Sequence, residues 1–226
     1  MSGPVVYGHF ISQPSRAVLW TFAIKKFPYT FKKVDPMRGE CDTDEFYAKS
    51  PQGVIPAYEE ADGFRLTEAH AILPYVADQQ GWDDLYPKDI KKRAKVNQWL
   101  HWHHTNVRPC TLYYFRPQLM QMQGFGSGLT PEKAKKGQKL MKDTFAVMKY
   151  GALNKTSFLA GDSYTLADIC LYCELDQLEA LGTFDFAPYP EVVQWMGRMK
   201  ALPEHDTIRK SLIKLGDMVK SAQAKL

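Results

Sequence analysis

The chain has 226 residues, of which 29 are basic and 25 acidic, so the formal net charge is +4. Apolar residues make up 45% and charged residues 24%, which is typical of a globular protein and excludes whole-chain disorder, collagen and coiled coil. No run approaches the roughly 20 apolar residues of a membrane span, and the basic clusters are too short and scattered to predict nucleic-acid binding.

The first 82 residues alternate short apolar runs with helical runs. They predict strands at Val5–Phe10 and Tyr29–Val34, because both runs are short and rich in apolar or β-branched residues. A helix is expected between them, with Pro14 in its first turn and Lys25–Lys26 at its end. A short helix at Asp44–Lys49 should follow.

Two further strands are predicted at residues 55–61 and 64–67. Asp62-Gly63 between them predicts a hairpin with a type I′ turn, in which both central residues take positive φ. Thr67 is expected to cap a helix that runs to about Gln80, with a kink at Pro74. The predicted order of this half is therefore β-α-β-α-β-β-α.

A linker at residues 83–90 precedes a half that is helical throughout. Thr165 followed by Asp168 resembles a capping box at the start of one of these helices. The first helix is expected to kink at Pro109. The sequence predicts an α+β domain at 1–82 and an all-α domain at 91–226, with helices at about 89–122, 131–150, 165–180, 190–201 and 204–221.

Several motifs carry a resemblance to one family that covers essentially the whole chain. They are Ser12-Gln-Pro-Ser-Arg-Ala17, Val54-Ile-Pro56, Leu66-Thr-Glu-Ala69, Tyr86-Pro-Lys-Asp89 and the segment from Phe158 to Asp168. Together they resemble the cytosolic glutathione S-transferases, and the theta class most. The resemblance implies a thioredoxin-like N-terminal domain, a homodimer, and conjugation of glutathione to small hydrophobic electrophiles or reduction of organic hydroperoxides. It implies glutathione as co-substrate, without a tightly bound cofactor.

The resemblance assigns the catalytic role to Ser12. A free thiol has a pKa near 8.5, and a hydrogen bond to the charged form lowers it by about 1–2 units. A hydroxyl between the first strand and the first helix is placed to donate that bond, although a serine there also serves as an ordinary helix cap. Tyr7 is expected to be a core strand residue, because Phe10 occupies the position of the catalytic tyrosine of other classes. Ser15 is a further candidate donor.

The resemblance also assigns a set of glutathione-binding residues. Pro56 matches the family's cis-proline, and Ile55 would pair its backbone with the cysteinyl unit. Glu68 would meet the γ-glutamyl ammonium, but Ala69 lacks the hydroxyl that relatives place beside it. The full predicted set is Gln13, Cys41, Val54, Ile55, Pro56, Glu68, Ala69 and Arg108.

Two departures leave room for a non-enzymatic scaffold that keeps the fold. One is Ala69, and the other is the acidic stretch Gly39–Asp42, where relatives carry basic residues for the glycyl carboxylate. Thiol chemistry at Cys41 is a further alternative. The second-substrate wall is predicted from Phe10, Ile11, His104 and Leu112, the last two one helical turn on either side of Arg108.

The sequence predicts no metal site. His101 and His104 have a ligand-like i,i+3 spacing, but no third or fourth ligand is evident near them. Cys170 and Cys173 lie in an apolar helix and are expected to be buried structural thiols. Four cysteines without a secretory signal predict reduced thiols and a cytoplasmic protein.

Overall fold

The computed structural model describes residues 3–122, 124 and 128–223. The outermost residues of the two predicted domains, 1–2 and 224–226, lie outside this range. The N-terminal half contains a four-stranded sheet with the order β2-β1-β3-β4. β1 is parallel to β2 and antiparallel to β3, and β3 is antiparallel to β4. The strands are β1 Val5–Gly8, β2 Thr30–Lys33, β3 Ala57–Glu59 and β4 Arg65–Thr67.

Three helices accompany the sheet, and they give the predicted β-α-β-α-β-β-α order. They are α1 Gln13–Ile24, α2 Asp44–Tyr47 and α3 Ala69–Gln80. Pro14 lies in the first turn of α1 as predicted. The predicted cap of α3 is wrong, because Thr67 ends β4 and Glu68 is the N-cap residue. The helix continues through Pro74 to Gln80.

The hairpin between β3 and β4 forms, but the predicted turn type is wrong. Among the described residues of the turn only Gly63 takes a positive φ, of 91°, whereas a type I′ turn needs one at Asp62 too. The backbone N–H of Gly63 donates to Glu60, and that of Glu60 donates to Phe64. A single left-handed glycine therefore closes the connection.

The C-terminal half is helical, as predicted. Its helices are α4 Ile90–Asn106, α5 Arg116–Met122, α6 Pro131–Met148, α7 Leu166–Leu181, α8 Pro190–Lys200 and α9 His205–Gln223. The predicted helix 89–122 is divided: α4 ends at Asn106, and Thr111–Phe115 forms a π-helical turn before α5. Pro109 lacks the N–H that would continue the ladder, which explains the break. None of the helices in the described part of the chain is long and apolar enough to cross a bilayer.

One hydrophobic core runs through both halves, with α1 against α7 at its centre. Polar contacts fix this packing: Trp20 Nε1 donates to the carbonyl of Pro203 at 2.8 Å, and Leu166 N donates to that of Leu85 at 3.1 Å. Tyr7 lies in β1 and belongs to a smaller core cluster, as predicted. The two halves of the chain are therefore packed against each other in a defined orientation.

Candidate active site

A cavity of about 240 Å³ opens between the two halves of the chain. Eight residues that the sequence assigned to ligand binding line it: Gln13, Val54, Ile55, Pro56, Glu68, Ala69, His104 and Arg108. The remaining lining residues were not predicted: Pro14, Ala17, Gln52, His70, His103, Cys170 and Glu174.

Ser12 is the N-cap residue of α1; it does not itself line the cavity, but it directly precedes Gln13 and Pro14, which do. Its Oγ accepts the backbone N–H of Ser15 at 3.4 Å. A hydroxyl that accepts one bond can still donate its own hydrogen, so a second partner is compatible with the cap. Ser15, the alternative donor, is fully buried beneath this turn and cannot reach a ligand through its side chain.

The loop that carries Ser12 is held from below by Arg16. This arginine is 1% exposed, and its guanidinium donates to the carbonyls of Phe10 at 3.2 Å, Ile11 at 3.0 Å and Cys173 at 2.8 Å. Because Cys173 lies in α7, the loop is tied to the helical half. Arg16 is therefore a structural clamp that sets the position of Ser12.

The facing wall is the loop before β3. The Ile55–Pro56 peptide bond is cis, as the resemblance implied. Ser50 fixes the loop, because its Oγ donates to the carbonyl of Val54 at 2.8 Å and accepts the N–H of Val54 at 3.1 Å. The neighbouring Ile55 thus enters the cavity from a rigid turn.

The third wall is the N-terminus of α3. Glu68 is exposed and has φ of 68° and ψ of 112°, a conformation that L-residues rarely adopt. The backbone N–H groups of Ala71 and Ile72 donate to the Glu68 carbonyl. Those of Ala69 and His70 belong to the first turn, where helix N–H groups lack intrahelical partners and favour an anion.

Glu174 of α7 forms the floor of the cavity and is fully buried. Its Oε1 accepts bonds from the hydroxyl of Thr111, from Gln177 Nε2 at 2.9 Å and from Arg108 at 3.4 Å. Burial raises the pKa of this carboxyl, but the contacts with His103, Arg108 and Thr111 outweigh burial and hold it below its ordinary value. A buried carboxylate is therefore paired with a cavity-facing arginine.

Three histidines line the cavity beside Glu174. His70 at the start of α3 meets His103 and His104 at the end of α4, with ring centroids 4.7 Å apart in each case. Burial, followed by the neighbouring imidazoles, lowers the pKa of His70 to about 2. His101, whose i,i+3 spacing from His104 stood out in the sequence, is exposed and lies outside this group.

Three sequence assignments need correction. Cys41 is buried in a core cluster with Tyr7 and Phe46, and burial raises the pKa of its thiol, so neither thiol chemistry nor ligand contact is supported there. Leu112 is 52% exposed, because the π-helical turn shifts the helix phase after Arg108. Ile11 packs in a smaller hydrophobic cluster with residues of α7 and α9, and it does not line the cavity.

Two further placements complete the predicted set. Phe10 is half-buried, with its ring 5.2 Å from that of Phe31. It is absent from the cavity lining, as are Ile11 and Leu112. Cys170 and Cys173 are buried free thiols as expected, and burial raises the pKa of both. Of the four residues predicted for the second-substrate wall, His104 lines the cavity and the other three do not.

The cavity residues that the sequence did not predict include Glu174, which is joined to partners far away in the sequence. Glu174 meets Arg108 across 66 positions of sequence and Thr111 across 63, so no local motif links them. A signal was present in the composition of α7, since a glutamate at the centre of an apolar helix requires partners. The same holds for His70, which joins α4 only when the two halves pack.

Comparison with known proteins gives matches over both halves. The family model of the glutathione S-transferase N-terminal domain matches residues 5–78, and that of the C-terminal domain matches residues 111–203. Human glutathione S-transferase theta-2 is 34% identical over 195 residues, which cover 84% of this chain and 78% of the relative.

A crystal structure of human glutathione transferase theta-2 in complex with glutathione and an unknown ligand superimposes with a TM-score of 0.89 at 28% identity. It covers 97% of this chain and 91% of that one. Glutathione S-transferase T2 of Arabidopsis thaliana is 30% identical over 223 residues, or 94% of this chain. The chain spans only 37% of the length of that relative.

Proposed function

The chain belongs to the glutathione S-transferase family, and we propose that it binds glutathione and conjugates it, through its sulfur, to small hydrophobic electrophiles. The observation that carries this proposal is the convergence of three elements on one cavity. The N-terminus of α1, the loop at Val54–Pro56 and the N-terminus of α3 come from distant parts of the N-terminal half. They offer a hydroxyl, a free backbone edge and an anion site.

The cysteinyl and γ-glutamyl parts of glutathione each find a matching group in this arrangement. The backbone of Ile55 pairs with the cysteinyl unit in the manner of an added strand. The first turn of α3, at Ala69, binds the γ-glutamyl carboxylate through backbone N–H groups, which compensates in part for the missing hydroxyl. Glu68 faces the γ-glutamyl ammonium. Gln13 and Arg108 complete the contacts, while Cys41 contributes none through its thiol.

Ser12 donates its hydroxyl hydrogen to the sulfur of bound glutathione. A hydrogen bond to a charged acceptor is worth about 1.5–3 kcal/mol, which lowers the thiol pKa by about 1–2 units and makes thiolate a major species at pH 7. The thiolate attacks an electrophilic carbon, the carbon–sulfur bond forms, and the leaving group departs with the bonding pair. With a hydroperoxide, two glutathione molecules are oxidised to the disulfide while the peroxide is reduced to an alcohol and water.

The test is an ultraviolet difference titration of bound glutathione, with the wild type beside Ser12→Ala and Ser12→Thr. The wild type should show the thiolate band well below pH 8.5, the alanine variant should lose it, and the threonine variant should retain part of it. Turnover should follow the band. The alanine variant should also lose about 1 kcal/mol of stability, because Ser12 caps α1.

Two outcomes would contradict this assignment. An unchanged thiolate band in Ser12→Ala would remove Ser12 from the mechanism and point to Arg108, a cation that lines the cavity. Failure of the wild type to bind glutathione at millimolar concentration would favour the scaffold alternative, in which Ala69 has weakened the anion site. The first outcome concerns the donor alone, whereas the second overturns the proposed activity.

The family resemblance further supports a homodimer that acts in the cytoplasm. The proposal requires neither a metal nor a tightly bound cofactor, since glutathione is consumed as co-substrate. Light scattering coupled to size-exclusion chromatography would give a mass near twice 25.8 kDa for the dimer. A mass near 25.8 kDa would contradict it.

A further inference from the structure

Three imidazoles from two helices meet inside the cavity. The ring centroids of His103 and His104 are 5.7 Å apart, and each lies 4.7 Å from that of His70. One nitrogen from each of the three lies within 4.8 Å of one from each of the others. His101 in the same helix does not belong to this group. The packing of α3 on α4 therefore gathers three nitrogen ligands around one point.

Some ring nitrogens of this cluster have no hydrogen-bond partner. His70 Nδ1 and both ring nitrogens of His103 are buried without a hydrogen-bond partner. A buried polar atom without a partner costs about 1–3 kcal/mol, so such atoms are rare and call for an explanation. The His70 ring also makes a hydrogen bond to the backbone of Leu100, which leaves Nδ1 as its free atom.

We propose that His70, His103 and His104 form a binding site for a divalent transition-metal ion, with Zn²⁺ as the probe. Imidazole nitrogens suit Zn²⁺, Ni²⁺ and Cu²⁺, whereas Mg²⁺ and Ca²⁺ prefer oxygen ligands. In a tetrahedral Zn²⁺ site with bonds of about 2.0–2.1 Å, ligand nitrogens lie about 3.3 Å apart. The three nitrogens now lie within 4.8 Å of one another, so binding would require them to move closer together.

Glu174 provides the outer support that such sites use. Its Oε2 is buried without a hydrogen-bond partner and lies 3.4 Å from His103 Nε2. A metal-ligating histidine commonly donates its other N–H to a carboxylate, which orients the ring. Binding through Nδ1 of His103 would thus supply partners for two unpaired groups at once. Three protein ligands leave a fourth position open toward the cavity.

The site does not depend on glutathione binding, so it is tested without glutathione. Tag-free protein, stripped with a chelator, is titrated with Zn²⁺ by calorimetry and with Co²⁺ by visible absorption. We expect one equivalent per chain and intense Co²⁺ d–d bands. His104→Ala and His70→Ala should each weaken binding about tenfold or more. His101→Ala is the matched control, since it removes an exposed histidine from the same helix.

His104 is exposed, so its variant should keep the fold, and circular dichroism checks this for each protein. The proposal is overturned if the wild type shows no saturable binding. It is also overturned if His101→Ala weakens binding as much as His104→Ala, or if folded His104→Ala and His70→Ala variants bind as the wild type does. The last result would place the ion on other ligands, and the cluster would then be three packed neutral imidazoles.

Discussion

Asp168 in the first turn of α7 and Glu174 in its middle are both buried carboxylates, and they have different hydrogen-bond partners. Asp168 is fully buried, and both oxygens are saturated: Oδ1 accepts Leu159 N and Trp195 Nε1, and Oδ2 accepts the N–H and hydroxyl of Thr165. Glu174 is equally buried, but its Oε2 has no hydrogen-bond partner. Asp168, whose oxygens are fully hydrogen-bonded, stabilises the fold, whereas Glu174, which is incompletely paired, lies at the cavity.

The partners also differ in kind. Asp168 is held by two backbone N–H groups, an indole and the Thr165 hydroxyl, all of which are neutral donors. Glu174 is held by a hydroxyl, an amide and the guanidinium of Arg108, all on side chains that can move. Backbone donors keep the charge of Asp168 permanently paired, whereas mobile side-chain donors allow Glu174 to share its partners with a ligand.

The largest effect on stability is expected when Asp168 is replaced. Asp168→Ala leaves four buried donors without an acceptor, and we expect it to lower the free energy of unfolding by about 3–5 kcal/mol. Since a domain has about 5–15 kcal/mol in total, the variant should be close to its folding limit. Urea denaturation measures the change. The control is Asp162→Ala, an exposed acid in the preceding loop that should shift stability by under about 0.5 kcal/mol.

The same two acids show how far the sequence predicts the molecule. The capping box was visible because Thr165 and Asp168 are three positions apart, and the structure confirms it. The contacts of Glu174 with Arg108 and Thr111 were not visible, because both residues lie more than 60 positions away. Local patterns likewise predicted the order of strands and helices along the N-terminal half, and the family resemblance implied the cis bond at Pro56. The failed assignments, such as Leu112, depend on helix phase, which a π-helical turn changed.

Glu59 in β3 is a third carboxylate, and its hydrogen-bond partners together affect its pKa more than its burial does. It accepts bonds from Tyr7 at 2.7 Å, Lys49 at 3.0 Å and Arg65 at 2.7 Å. Burial raises its pKa, but these three bonds outweigh burial and lower the pKa from 4.5 to about 2. Its side chain is 15% exposed, so solvent screens part of the gain.

Because the folded-state pKa lies below the ordinary value, the stabilisation by Glu59 is present above pH 4.5 and is lost as the pH falls toward about 2. Glu59→Gln should therefore lower stability by about 1–2 kcal/mol at pH 7, and the difference from wild type should shrink by pH 2.5. Urea denaturation at both pH values measures this. Glu45→Gln, at an exposed acid in α2, should show no such pH-dependent difference. A gap that stays constant with pH would assign the effect of Glu59 to shape rather than charge.

The smallest effect is expected at Glu174, and it should appear in binding rather than in stability. Glu174→Gln keeps the size and an acceptor oxygen while it frees Arg108, which is partly exposed and remains hydrated. Glutathione carries a net negative charge at pH 7, so removal of a nearby buried anion should favour it by about 1 kcal/mol, or roughly fivefold in KM.

The control for this variant is Glu179→Gln, which removes one charge from the same helix at a carboxylate bound to Lys200 and Arg209. A fall in KM in both variants would assign the effect to the net charge of the protein. A fall in Glu174→Gln alone would assign it to the cavity floor. If Glu174→Gln instead costs as much stability as Asp168→Ala, then the unpaired oxygen of Glu174 has no functional role, and Glu174 stabilises the fold as Asp168 does.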